Sequence, residues 1–466
     1  MKIKQAMLLA YVMLIPGCAT VGPHYHRPYL KVPCRFDHSD ETTRVGDLCN
    51  WWQAFNDTGL DCLIAQAVNH NYSLRAAFEK IQELRWNYNI KTAELLPEID
   101  AFGFILRNRY STDIPFFTNT TQNPGNLLGL GVATLWELDV WGRLRKAQSA
   151  ALADYRAQIE ATRDVYIMLL ADVAELYISL RALEIKIEIR KKQVAIDKEL
   201  LALSQDLFHA GLFNAIPPEI QLQSLLESEN YILVLEKMAV QTQNSLAALM
   251  SENIADFCLP AGSGIVPLSN GMLKTGIPSE LLRRRPDIRE AEQKLIAANE
   301  HIGQAIGDFF PKFSLVGLVS SLSSTFKAWF SGSSLAWAIG PAFSWPLITF
   351  GRITFEVRSK KAVYRQALYT YAQTVIEAFS DVENNLVNYF TQAQTLALSE
   401  KKLASIEKER ALTECRFRAG LIDRLQYLYI EKQTLAIKLE TIDNQKELST
   451  ALVRVYKALG GGWNCD

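Results

Sequence analysis

The side chains best suited to catalysis or metal binding lie far apart in this sequence. The six histidines stand at positions 24, 26, 38, 70, 209 and 301, and none belongs to an HExxH zinc-binding pattern. His24 and His26 are close in sequence, but two ligands near the N-terminus are too few for a stable metal site. No glycine-rich phosphate-binding loop precedes a predicted helix. The sequence therefore predicts no enzyme activity, no cofactor and no metal site.

Cys18 offers a different chemistry, the covalent attachment of a lipid. Two lysines and a short apolar run open the chain, which is the pattern of a signal peptide. The run ends in LIPGC at residues 14–18, which resembles a bacterial lipobox, where the cysteine is acylated after cleavage. We predict a signal peptide at residues 1–17 and lipid attachment at Cys18; an ordinary signal peptide with a chance cysteine is the alternative. The resemblance to bacterial lipoproteins implies that Ala19, in place of aspartate, favours the outer membrane over the inner membrane.

Six further cysteines follow Cys18, and a periplasmic location would permit disulfides. Cys34 and Cys49 are the predicted local disulfide pair, and the other pairings are left open. Cys415 lies within a helical pattern, so we predict a buried thiol there.

Composition excludes several classes of protein. The chain has 466 residues, with 49 basic and 50 acidic side chains and a net charge of −1, which argues against a nucleic-acid-binding protein. Hydrophobic residues make up 49% and charged residues 21%, so the chain is not disordered. No apolar run reaches the roughly 18 residues of a membrane-spanning helix. If this chain crosses a bilayer, it must do so as strands.

The elements that position these residues belong to an internal duplication. Matching residues recur at an offset of 214 and then of 209: Arg75 and Arg289, Ala77 and Ala291, Pro97 and Pro311, Gly142 and Gly351, Gly211 and Gly420. The predicted organisation is a signal peptide (1–17), an N-terminal anchor and equatorial segment (18–66), a first repeat (67–250), an equatorial linker (251–278), a second repeat (279–459) and a tail (460–466). Each repeat is predicted as helix, two strands, a long helix, a tight turn and a further helix.

The long helices carry the clearest periodicity. Apolar residues recur every seven positions from Tyr166 to Phe208 and again from Val375 to Leu403, which predicts coiled-coil packing. The helices are predicted over residues 142–208 and 351–417, and each would be about 100 Å long at 1.5 Å per residue. A lipid-anchored coiled-coil spacer of the cell envelope would account for the helices, but it would need no strands.

The predicted strands resemble those of a membrane barrel. From Leu335 to Trp345, large apolar residues alternate with small ones, which suits lipid on one face and a crowded or aqueous interior on the other. Strands are predicted over residues 98–110, 126–138, 312–323 and 335–346. Four strands cannot close a barrel, and open edges are not tolerated in lipid, so the chain must oligomerise. Two copies would give eight strands and three would give twelve. A soluble four-stranded sheet is the alternative, but it would need helices of ordinary length to cover it.

Several motifs together carry a family resemblance. LLRRRPDIR at residues 281–289, Phe309–Pro311, Arg27–Pro28 and Trp51–Trp52 resemble the TolC-type outer-membrane factors, in the lipoprotein branch that serves multidrug efflux pumps. The resemblance implies an α+β fold: a trimeric, twelve-stranded transmembrane β-barrel continued by a long periplasmic α-helical barrel. It also implies an outer-membrane exit duct that is passive and not an enzyme. The implied partners are two further copies of the chain, a periplasmic adaptor, an inner-membrane pump and outer-membrane lipid, without nucleic acid.

The resemblance places the periplasmic aperture and the adaptor contact at the turns after the two long helices. The corresponding residues are Gly211, Leu212, Phe417, Gly420, Leu421, Asp423, Arg424 and Gln426. Where family members carry acidic rings after the second turn, this sequence has Gln426 and Tyr429. Asp423 is therefore predicted either to line the pore or to cap the following helix.

Overall fold

The computed structural model describes residues 20–30, 48–109, 124–259, 264–269 and 284–463. Cys18 and Cys34 lie outside these ranges, so lipid attachment and a Cys34–Cys49 disulfide stay predictions. The described residues form two compact units. The first unit falls within residues 1–29, 80–159 and 290–372, and the second within 30–79, 160–289 and 373–466. Each unit therefore takes segments from both predicted repeats.

The first unit contains a four-stranded antiparallel sheet in the order β1-β2-β3-β4. The strands are β1 (Glu98–Asn108), β2 (Gly125–Leu138), β3 (Lys312–Ser323) and β4 (Leu335–Ser344). The ends of all four strands lie within two residues of the predicted ranges. The register is uniform, so that Val132, Val319 and Trp337 stand side by side across three strands.

One face of the sheet is apolar, and its large side chains are exposed. Trp337, Ile339 and Phe343 on β4 are 71%, 70% and 73% exposed, and Ile99 on β1 is 70% exposed. Residues on the opposite face of β4 are small, because alanine and glycine alternate with the large side chains. The sheet therefore exposes the large residues that a water-soluble sheet would bury.

The described α-helices are α1 (Thr58–His70), α2 (Tyr72–Ala93), α3 (Arg143–His209), α4 (Ile216–Leu249), α5 (Pro286–Gly307), α6 (Arg352–Arg418) and α7 (Arg424–Ala458). The two long helices, α3 and α6, have 67 residues each. Both helices begin and end one residue later than predicted. Among the described residues, no helix combines the length and the hydrophobicity needed to cross a membrane.

The core of the second unit follows the seven-residue pattern. Val173 and Leu180 on α3 are buried, as are Val375 and Val382 on α6. Tyr177 is fully buried in the same core as Val173, where its hydroxyl donates to Asp57, the residue that caps α1. Burial of these residues is what a coiled-coil seam requires.

The prediction of a buried thiol at Cys415 is wrong, because the side chain is exposed. Cys415 precedes Phe417 by two residues, which places it about 200° around the helix. Phe417 stacks on Tyr427 of α7, so Cys415 points away from that contact.

Candidate functional site

The turn after α3 is a helix C-cap built on glycine. The Gly211 N–H donates to the carbonyl of Phe208 at 3.0 Å, and the Leu212 N–H donates to that of Leu207 at 2.9 Å. Together these bonds form a Schellman motif, which needs a left-handed residue after the helix. Gly211 supplies it with a φ of +79°. The motif leaves the Leu212 side chain 71% exposed at the tip.

The turn after α6 repeats the same geometry. The Gly420 N–H donates to Phe417 at 2.9 Å, the Leu421 N–H donates to Arg416 at 2.9 Å, and Gly420 has a φ of +69°. Leu421 is 70% exposed, like its counterpart in the first turn. Both turns lie in the second unit. Duplication has therefore given the unit two tips with one backbone design and one exposed leucine each.

The tips differ in how the next helix begins. After the first tip, the Asn214 side chain accepts from the Ile216 N–H at 3.0 Å, and prolines occupy the first turn of α4. After the second tip, Asp423 is the N-cap of α7 and accepts from the Gln426 N–H at 2.7 Å. The structure thus gives Asp423 the capping role, one of its two predicted roles. The side chain of Gln426 is exposed beside it.

Arg424 ties the second tip to α3. Its guanidinium donates to both carboxylate oxygens of Glu199, at 2.6 and 2.9 Å. It also lies over the rings of Phe417 and Tyr427, with 5.5 and 5.2 Å between Cζ and the ring centroids. The hydrogen bonds from Arg424 hold the pKa of Glu199 below its usual range. The arginine is therefore paired within its own chain.

A buried carboxylate lies about two turns of α7 from this tip. It was not predicted from the sequence. Asp197 of α3 is fully buried and accepts from Lys432 of α7 and from Ser228 of α4, both at 2.6 Å. A buried carboxylate needs such partners because desolvation of a lone charge is costly. The only available signal was an aspartate three residues after Val194, beside the apolar seam. The network joins three helices just behind the tips.

A second unpredicted contact joins α4 and α7. Gln221 donates to the hydroxyl of Tyr429 at 2.7 Å. The described residues contain no group of three or more histidine, cysteine, aspartate or glutamate side chains that could hold a metal ion.

Exposed apolar strands together with paired helical tips define a membrane protein with a water-facing helical part. A model of the outer membrane efflux protein family matches residues 63–252 and 277–461, and the chain belongs to that family. The solvent efflux pump outer membrane protein SrpC of Pseudomonas putida is 27% identical over 471 residues, covering 100% of this chain and 99% of the relative. Outer membrane protein OprJ of Pseudomonas aeruginosa is 28% identical over 470 residues, covering 98% and 95%.

Solved structures agree with this assignment. The outer-membrane channel OprN superposes with a TM-score of 0.86 at 26% identity, covering 96% of this chain and all of the other. The open state of the Neisseria gonorrhoeae MtrE outer membrane channel gives 0.85 at 25% identity, covering 96% and 99%. The predictions of an efflux protein and of an outer-membrane location extending into the periplasm are confirmed.

Proposed function

We propose that this chain is the exit duct of a tripartite efflux system. In the proposal, three copies close a twelve-stranded barrel in the outer membrane, and the long helices form a periplasmic helical barrel. The apolar sheet face carries the argument. It suits lipid, yet β1 and β4 each have one edge that no described strand covers. Lipid does not tolerate open edges, so further copies of the sheet must supply the missing partners.

The duct itself is passive in this proposal and has no catalytic activity. An inner-membrane pump supplies the energy and selects the substrate, and a periplasmic adaptor joins the pump to the duct. The adaptor is proposed to contact the two tips, because each presents an exposed leucine on a glycine turn. Symmetry would bring three copies of each tip together, so that Asp423 lies near the path of every solute.

Detergent-extracted protein tests the proposal in two measurements. Its mass should correspond to three chains, and planar bilayers containing it should show discrete single-channel currents. A stable monomer with full strand content would contradict the closed barrel. A trimer without conductance would favour the structural spacer instead.

Lipid attachment at Cys18 is part of the same proposal. Thr20 packs against Gly142, and the Val21 N–H donates to the carbonyl of Trp141 at 3.0 Å, beside the junction between β2 and α3. A lipid on Cys18, two residues earlier, would therefore lie near the end of the sheet. Fatty-acid labelling should disappear in Cys18→Ala, while the trimer still forms; unchanged labelling would refute the assignment.

A further inference from the structure

A basic cavity lies beside the last turns of α5 in the first unit. Its volume is about 560 Å³, within the range of ligand pockets. Four of its lining residues are basic and four others are Pro23, Asn299, Ile302 and Ile306, with Tyr364 completing the wall. The basic residues are His24, His26, Lys361 and Arg365. Among the described residues that line this cavity, none is acidic.

The positive charge in the cavity has no partner among the described residues. No described carboxylate forms an ion pair with Lys361, Arg365 or either histidine. The cavity is open to solvent, so a ligand in solution can reach these side chains. Lys361 and Arg365 are four residues apart on α6, so they project from one side of the helix. The imidazoles add hydrogen-bond donors in either protonation state. This combination suits a phosphate group, which accepts several charge-assisted hydrogen bonds.

The histidines are held in place by the segment that carries them. The Asn299 side chain donates to the carbonyl of Pro23 at 3.2 Å, and Tyr25 donates to Glu292 at 3.2 Å. Arg27 pairs with the same Glu292 at 3.0 Å. These contacts fix the chain on either side of His24 and His26 along α5. Tertiary contacts therefore fix the backbone that carries the two histidines, and all four basic side chains are exposed.

The surroundings point to a membrane surface. The helix α5 leads directly into β3, and the connection from β4 to α6 exposes Trp345, Leu347, Ile348 and Phe350. Phe355, in the first turns of α6, is also exposed. Aromatic and apolar girdles of this kind mark the interface at the ends of membrane strands. The cavity lies two turns of α6 beyond Phe355, on the helical side of that girdle.

We propose that this cavity binds the phosphate of an anionic phospholipid, from the leaflet into which the predicted lipid on Cys18 would insert. The inference rests on the proposed function, because it requires the sheet to span the outer membrane. Lys361 and Arg365 hold the phosphate, His24 and His26 donate to it, and Ile302 and Ile306 contact the glycerol end of the lipid. A bound headgroup would fasten the N-terminal segment to α5 and α6.

Native mass spectrometry of the purified trimer with short-chain phosphatidylglycerol tests this site. Wild type should retain one phosphatidylglycerol per chain and little phosphatidylcholine. Lys361→Ala combined with Arg365→Ala should weaken phosphatidylglycerol binding by about tenfold or more, since two charge-assisted hydrogen bonds are lost. Arg358→Ala combined with Lys360→Ala removes equal charge from the same helix outside the cavity and should bind like wild type. His24→Gln combined with His26→Gln should give an intermediate loss.

The same spectra separate this inference from the proposed function. Absence of a trimer contradicts the closed barrel, whereas a conducting trimer that binds phosphatidylglycerol equally in wild type and in the Lys361 and Arg365 variant overturns the cavity assignment. Equal competition by inorganic phosphate at matched concentration would overturn the lipid as the source of the phosphate. A wild-type trimer that retains no phosphatidylglycerol would also overturn the cavity assignment.

Discussion

At the scale of single residues, Asp423 combines a negative charge with a capping hydrogen bond, and the two can be removed separately. Asp423→Asn keeps the acceptor for the Gln426 N–H, so its stability should match wild type. Asp423→Ala loses the cap and should be destabilised by about 1 kcal/mol.

If the carboxylate lies near the proposed pore, Asp423→Asn should also weaken cation preference. The measurements are thermal unfolding by circular dichroism and reversal potential under a salt gradient. An unchanged reversal potential would leave Asp423 with the capping role alone.

The contact between Arg424 and Glu199 should depend on pH. Arg424 lowers the pKa of Glu199 below its ordinary value of 4.5, so the pair stabilises the fold above that value. The contribution is lost as the pH falls through the lowered pKa. Both side chains are more than a third exposed, so the effect should be about 1 kcal/mol or less. Thermal unfolding should separate wild type from Arg424→Gln near neutral pH and bring them together in acid. A difference that persists in acid would come from the aromatic contacts of the arginine instead.

At the scale of elements, substitutions in the two glycine turns measure the free-energy cost of backbone strain without a change in side-chain packing. A Cβ at Gly420 would meet no atom within 4 Å, so Gly420→Ala should cost only the strain of a left-handed residue, about 1 kcal/mol. Gly211→Ala should cost the same, because its φ and its surroundings match. Gly332→Ala is the control, since that residue also has open space but no positive φ. Gly420→Asn should recover part of the loss. Thermal unfolding of the four variants provides the comparison, and equal stability of Gly420→Ala and wild type would contradict the strain argument.

Strands and helices that carry a regular hydrophobic period were predictable from the sequence. Contacts between helices that are distant in the sequence were not. The alternation around Trp337 and the heptads around Val173 specify a strand and a buried helical seam, because each period matches one secondary structure. Glycine similarly specified both turns. The partner of Arg424 was not predictable, because Glu199 lies on another helix. Which side of that helix faces Arg424 depends on how the helices pack. Cys415 shows the same limit, because a helical pattern alone did not identify its outward side.

At the scale of the whole molecule, the two faces of the sheet should respond oppositely to a charge. Ile339 lies in the middle of β4 on the apolar face, and Ala338 lies next to it on the small-residue face. Lysine at a lipid-facing midplane position costs about 2–4 kcal/mol, so Ile339→Lys should reduce the amount of trimer in outer-membrane fractions. Ala338→Lys should insert normally and change the conductance. Heat-modifiable migration on gels and bilayer recordings measure the two effects. Equal insertion of both variants would show that the apolar face does not contact lipid.

The pairing of β2 with β3 has a consequence for the order of folding. The partner of β2 begins at Lys312, after the whole of α3, α4 and α5 has been made, whereas the β1–β2 and β3–β4 hairpins close within short segments. Contacts between distant residues form slowly because the intervening chain must first be ordered. We therefore expect the first hairpin to keep an uncovered edge until the second repeat has followed it across the inner membrane. That interval is when the chain is most exposed to wrong pairing with other exported strands, and a chain released before Lys312 would keep that edge open permanently.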